Sequence, residues 1–178
     1  MSSVCKNLLT AYDQPVLLEA FLPGREFTVG IVGTGKNAEV LGVMEILLQA
    51  EAEPEAYSYA NKKEFESRVT YTLVRDKEAG RASKVALDAW RRLGCRDGGR
   101  IDIRSDKSGI PHFLEVNPLA GLNPEISDLP ILCRLAGIPY IDLIARIMES
   151  AMERAFPSPS IFNDRVLSAG FSPSAGVS

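Results

Sequence analysis

The stretch GRIDIRSDKSGIPHFLEVN, residues 99–117, reads as two strands and the turn between them. GRIDIR alternates, with Ile101 and Ile103 on one face and Arg100, Asp102 and Arg104 on the other. That period of two is the signature of a half-buried strand. SDKSG is a turn. IPHFLEVN is the partner strand, with Leu114 and Val116 facing one way and Glu115 and Asn117 the other. Paired as a hairpin, the strands make Asp102 and Glu115 cross-strand neighbours about 5 Å apart. Asn117 then lies about 7 Å further along the same face. Two like charges at that separation repel by about 3 kcal/mol at an effective dielectric of about 20, so something compensates them. Arg100 and Arg104 share the face and can form an ion-pair network on a solvated sheet surface. A divalent cation between the acids is the other solution, since two carboxylates and an amide oxygen are hard ligands that suit Mg²⁺. Spacing alone favours the ion-paired face.

Working outward, PVLLEAF at residues 15–21 is apolar and strand-like, and LPGRE turns the chain. EFTVGIVG is a strand with Phe27, Val29 and Ile31 on one face. GTGKN is a tight turn, and AEVLGVMEIL is the returning strand of a hairpin. Residues 48–70 turn polar and acidic and read as a long loop holding AYSYANKK; loops of that length are often functional. DKEAGRASKVALDAWRRLG is a helix. Ala82, Val85, Ala86, Ala89, Trp90 and Leu93 fall on one apolar stripe, and Gly94 stands in the C-cap position. Beyond Asn117, PLAGLNP is a loop. Residues 128–136 form a short helix ended by Gly137, and Pro139 opens another, with Ile141, Ile144, Met148 and Ala151 as its core side. From residue 156 onward the chain is Ser, Pro and Gly without pattern, the composition of a disordered tail. The fold class is α+β: antiparallel strands covered by helices.

Bulk composition narrows the function. The chain has 178 residues, 46% hydrophobic and 24% charged, enough for one domain with a substantial core. A net charge of -3 gives no basic surplus for nucleic acid or for an anionic membrane. No apolar run is long enough to cross a bilayer. MSSVCKNLLTAYDQ has neither the basic start nor the apolar core of a signal peptide. The three scattered cysteines form no CxxC pair and read as free thiols of a reducing cytoplasm. One histidine, His112, argues against a zinc site or a histidine-based triad.

Several motifs in order resemble one family. LLEAFLPGREFTVGIVG is similar to the hinge and following strand of the ATP-grasp fold, as found in the D-alanine–D-alanine ligases. YSYANKK resembles that family's loop of two tyrosines and a lysine, and GRIDIR, FLEVNPLAGL and LAGIPYIDLIARIM resemble its metal-binding strands and C-terminal helices. The resemblance runs from about Leu17 to about Met148, and its strength lies in the order and intervals of GREFTVG, RIDIR and LEVNP.

The resemblance implies the following roles. Glu19 accepts from the adenine amino group, the backbone of Ala20 and Leu22 lines the ring edge, and Phe21 flanks it. Glu26 binds the ribose hydroxyls. Lys62 contacts the phosphates of ATP as a point charge. Asp102, Glu115 and Asn117 hold Mg²⁺ ions, with Glu115 bridging two. Arg100 and the N–H of Gly121 face the developing oxyanion, and Ser127 binds the carboxylate of the second amino acid. The implied enzyme is an ATP-dependent ligase, D-alanine–D-alanine ligase or a close relative, working in the cytoplasm on a small amino-acid substrate for peptidoglycan biosynthesis. ATP phosphorylates a carboxylate to an acyl phosphate, and an amine displaces the phosphate to give an amide. Three departures leave room for another amino-acid substrate: Lys63 stands where the family has tyrosine, Ala120-Gly121 replaces Pro-Gly, and the segment from Gly121 to Ser127 is one residue longer. No glycine-rich phosphate loop precedes Glu19. Residues 1–155 are therefore expected to be the C-terminal ATP-grasp subdomain, truncated on its N-terminal side, with a complementary N-terminal half or a second copy of the chain as partner. The alternative is a degenerate or partial nucleotide-binding module, inactive without a partner half.

Overall fold

The computed structural model describes residues 3–48 and 69–156. The elements run α1 (Ser3–Tyr12), β1 (Glu26–Val32), a 3-10 turn (Gly35–Asn37), β2 (Glu39–Leu48), β3 (Val69–Leu73), α2 (Lys77–Arg92), β4 (Gly98–Ser105), β5 (Pro111–Asn117), α3 (Asp128–Leu135) and α4 (Tyr140–Ala155). The strands form one sheet in the order β3-β2-β1-β4-β5, with every neighbouring pair antiparallel. The α+β class and both hairpins, β1–β2 and β4–β5, are as expected from the sequence.

The sheet's two faces are buried differently. On one, Phe27, Val29, Ile31, Val43, Ile101 and Ile103 pack under α2, which contributes Ala79, Ala82, Ala86 and Trp90. The small alanines let the helix approach closely, while Trp90 fills the remaining space. Trp90 is fully buried, and its indole N–H donates to the Gly33 carbonyl at 3.1 Å. Asp76 caps α2 by accepting from the N–H groups of Glu78 and Ala79 at 2.9 and 3.1 Å. The bond from Arg25, with these cap bonds behind it, holds its carboxyl down at about 2. Gly94 and Gly137 follow α2 and α3 with φ of 68° and 77°, the left-handed closure that glycine adopts without strain.

On the other face, α3 lies over β1 and β2. Gly30 and Gly42 are opposite each other in the ladder. A Cβ on Gly30 would come within 3.0 Å of the Leu129 and Leu132 methyls, and one on Gly42 within 3.1 Å of Leu132. The paired glycines are therefore the seat of the helix. α4 covers the Gly98 end of β4 through Ile147.

Four sequence expectations need correction. Residues 15–21 are not a strand; no ladder partner is offered to them among the described residues, and Leu17, Leu18 and Phe21 remain 77–81% exposed. The expected loop ends earlier than residue 70, because VTYTL forms β3 against β2; its β-branched alternation was the available signal. The packed side of α4 is Leu143 and Ile147, whereas Ile141 and Met148 are 70% and 54% exposed. That helix carries two apolar stripes, and only the docking on the sheet selects between them. Leu93 is likewise exposed, one turn beyond the part of α2 that the sheet can cover. Residues 56–63 and the expected tail after Phe156 lie outside the described residues.

Trp90→Ala is expected to lower stability by about 3–5 kcal/mol, because a large cavity and an orphaned Gly33 carbonyl remain. Urea unfolding followed by circular dichroism measures it; Trp90 is the lone tryptophan, so its fluorescence is lost with it.

Candidate nucleotide and metal site

The part of the second face that α3 and α4 leave open carries polar side chains from β1, β4 and β5. β1 pairs with β4 so that Glu26 lies opposite Arg104, Thr28 opposite Asp102, and Gly30 opposite Arg100. β4 pairs with β5 so that Asp102 lies opposite Glu115 and Arg100 opposite Asn117. A bulge between Asp102 and Ile103 shifts the register at that point. The two acids are thus cross-strand neighbours, with the amide on the same face.

Asp102 is the centre of the cluster. The Thr28 hydroxyl, itself buried, donates to its Oδ1 at 2.8 Å. The Asn117 amide nitrogen donates to its Oδ2 at 3.2 Å and to Glu115 Oε1 at 3.1 Å. Arg100 Nε stands 3.4 Å from Oδ2, close enough for an ion pair but not aligned as a hydrogen bond. Burial pushes the Asp102 carboxyl above the ordinary aspartate value of 3.8, and the neighbouring Glu115 adds to the rise, while Arg100 and Thr28 oppose it. Arg100 is shared: its Nη1 also pairs with Asp128, the first residue of α3. Asp128 accepts in addition from the Tyr71 hydroxyl at 3.2 Å.

Of the two compensations that spacing allows, the ion-paired one is present in part. Arg100 pairs with Asp102 as the ion-paired reading requires. Arg104 does not; it pairs with Glu26 at 3.0 Å, because the ladder places Glu26, not Asp102, across from it. Glu115 has a neutral amide as its partner here. Two carboxylates beside a guanidinium already shared with a third acid leave the cluster net negative. The donor set suits magnesium, which keeps waters and phosphate oxygens in its shell and needs few protein ligands. Among the described residues no group of three His, Cys, Asp or Glu forms a fuller cage. To ligate, Asn117 must turn its amide so that Oδ1 replaces Nδ2.

The remaining expected residues fall as follows. Gly121 and Ser127 meet: a Cβ on Gly121 would stand 2.6 Å from the Ser127 hydroxyl. That hydroxyl accepts from the Asn123 N–H at 3.1 Å, and Ser127 precedes Asp128 at the head of α3. Phe21 and Glu26 meet through Arg104, whose guanidinium lies 5.7 Å from the Phe21 ring. Glu19 and Ala20 are exposed and Leu22 half-buried on the extended segment before β1. Lys62 and Lys63 lie outside the described residues. Thr28, Tyr71 and Asp128 were not anticipated. The alternation of β1 places Thr28 opposite the Phe27 face, but its partnership with Asp102 depends on strands 74 residues apart pairing.

Residues 3–149 match the family described as D-ala D-ala ligase C-terminus. A D-alanine–D-alanine ligase of Bordetella avium is 36% identical over 158 residues, 84% of this chain and 48% of the relative. One of Pelotomaculum thermopropionicum is 33% identical over 80% of this chain and 43% of the relative. Among solved structures, D-alanine–D-alanine ligase from Bacillus anthracis superposes with a TM-score of 0.59 at 27% identity, covering 76% of this chain and 42% of that one. A structure of that ligase complexed with ATP gives a TM-score of 0.62 at 24% identity over 85% of this chain and 46% of that one, a likeness of fold. The chain spans about half the length of the curated relatives it matches. The sheet and helices are accordingly those of the C-terminal part of an ATP-grasp domain, and the chain belongs to the D-ala D-ala ligase C-terminus family.

Proposed function

We propose that this chain is the nucleotide- and metal-binding part of an ATP-dependent carboxylate–amine ligase, D-alanine–D-alanine ligase or a close relative, acting in the cytoplasm on small amino acids. The observation that carries the reading is the cross-strand pair Asp102 and Glu115 with Asn117 beside them, on the open face of a fold shared with ligases. Magnesium, when bound, would neutralise phosphate charge during phosphoryl transfer; Asp102, Glu115 and Asn117 would hold it. Thr28 keeps the Asp102 carboxylate turned toward the open face. Arg100, fixed between Asp102 and Asp128, supplies a preorganised positive charge for the oxyanion of amide formation, with the Gly121 N–H as second donor. Ser127, at the start of α3, offers its hydroxyl to the second substrate's carboxylate. Glu19, Ala20, Phe21 and Leu22 receive the base, Glu26 the ribose and Lys62 the phosphates. Residues 1–155 form this unit. The ligase chemistry that follows is phosphorylation of one carboxylate and displacement of phosphate by an amine, and the product serves peptidoglycan synthesis.

Thermal unfolding with and without Mg·ADP tests the reading. Saturation at one hundred times the dissociation constant stabilises by about 2.7 kcal/mol, read as a rise in Tm of about 5 °C for a domain of this size. Chelation with EDTA should remove the rise, and Glu115→Gln should abolish it while leaving the ligand-free Tm within about a degree. An unchanged shift in Glu115→Gln overturns the metal assignment.

Protons compete with the cation at Asp102. Its folded-state pKa is raised, so the ionised carboxylate costs stability above that pKa, and the cost is relieved as pH falls through it. Mn²⁺ affinity, followed by water-proton relaxation, should therefore begin to fall on acidification at a pH above the ordinary aspartate value of 3.8. Without cation, Asp102→Asn should be at least as stable as the parent at pH 7.

A further inference from the structure

Arg104 occupies the open face between two groups of different chemistry. In the ladder it follows Asp102 on the same side of β4, about 7 Å along the strand. Its Nη1 donates to Glu26 Oε2 at 3.0 Å, its Cζ lies over the Phe21 ring at 5.7 Å, and its Nε–H is buried without an acceptor among the described residues. Both side chains of the pair with Glu26 are one-third exposed, so solvent screens part of its contribution to stability. The fold therefore gains little from holding a guanidinium here. What the arrangement does provide is a flat, weakly hydrated cation next to an aromatic ring, with its charge balanced by Glu26. Such a group stacks on π surfaces, and it does so better than an ammonium.

The row Phe21, Arg104 with Glu26, and Asp102 with Glu115 runs from the proposed base end of the nucleotide to its proposed phosphate end. We propose that Arg104 is a nucleotide-contacting residue that selects for the base: its guanidinium stacks on the purine, and Glu26 is its counter-ion. This rests on the reading of the face as an ATP site.

Calorimetric titration of the chain with Mg·ADP and with Mg·tripolyphosphate, which carries no base, tests it. In Arg104→Ala the affinity for ADP should fall about ten-fold, and that for tripolyphosphate less than two-fold. Arg104→Lys, which keeps the charge but not the plane, should recover less than half of the loss on a logarithmic scale. Equal losses for both ligands would make Arg104 a phosphate contact and overturn the stacking. No loss for either would make it only the counter-ion of Glu26, and overturn the proposal as well. If the parent chain binds neither ligand, the ATP-site reading has failed, and this inference fails with it. Arg104→Met, which keeps the apolar stem, replaces the alanine variant if circular dichroism shows that the latter is unfolded; the same pattern is expected of it.

Discussion

β1 is buried on both faces and hydrogen-bonded on both edges, and its pairing with β4 is the constraint on which the site depends. Phe27, Val29 and Ile31 anchor it under α2, while Thr28 and Gly30 face α3 and the open surface. A register shift of one residue would turn all of these over. Because the buried set resists that, Thr28 is fixed beside Asp102 and Glu26 beside Arg104. The β4–β5 hairpin then carries Glu115 and Asn117 to the same place. One strand's hydrophobic burial thus positions polar groups on its opposite face.

The helices complete the arrangement through small contacts. α3 settles on the backbone of Gly30 and Gly42, where any side chain would meet Leu129 or Leu132. That seat brings Asp128 within reach of Arg100 and Tyr71. Arg100 is consequently held by acids from two elements. The same glycine seat that stabilises the core also determines where the cationic group of the site points.

Charge at the open face is unevenly balanced. Among the described residues, Arg104 is matched by Glu26, Arg100 is divided between Asp102 and Asp128, and Glu115 has an amide as its partner. The Asp102 carboxyl is raised first by burial and then by the neighbouring Glu115, against the opposing pull of Arg100 and Thr28. The apolar side chains of residues 17–21 and of the outer stripe of α4 stand exposed on a chain about half as long as its relatives.

Much was legible in the sequence because it depends on local periodicity. GRIDIR and FLEVN alternate, so the hairpin, its polar face and the neighbourhood of Asp102, Glu115 and Asn117 follow from a period of two and a short turn. The α2 stripe and the glycine closures after α2 and α3 are legible for the same reason. Non-local choices were not. PVLLEAF has strand composition but finds no neighbour to pair with among the described residues, whereas VTYTL finds one in β2. α4 has two apolar stripes, and the sheet chose Leu143 and Ile147. Arg100 and Arg104 look equivalent along β4, but one reaches Asp128 and the other Glu26, because different strands and helices lie across from them. Which residues share a strand face can be read along the chain, because backbone geometry within a few residues sets it. Which faces meet emerges in the folded molecule alone, because it depends on burial and pairing between segments far apart in the chain.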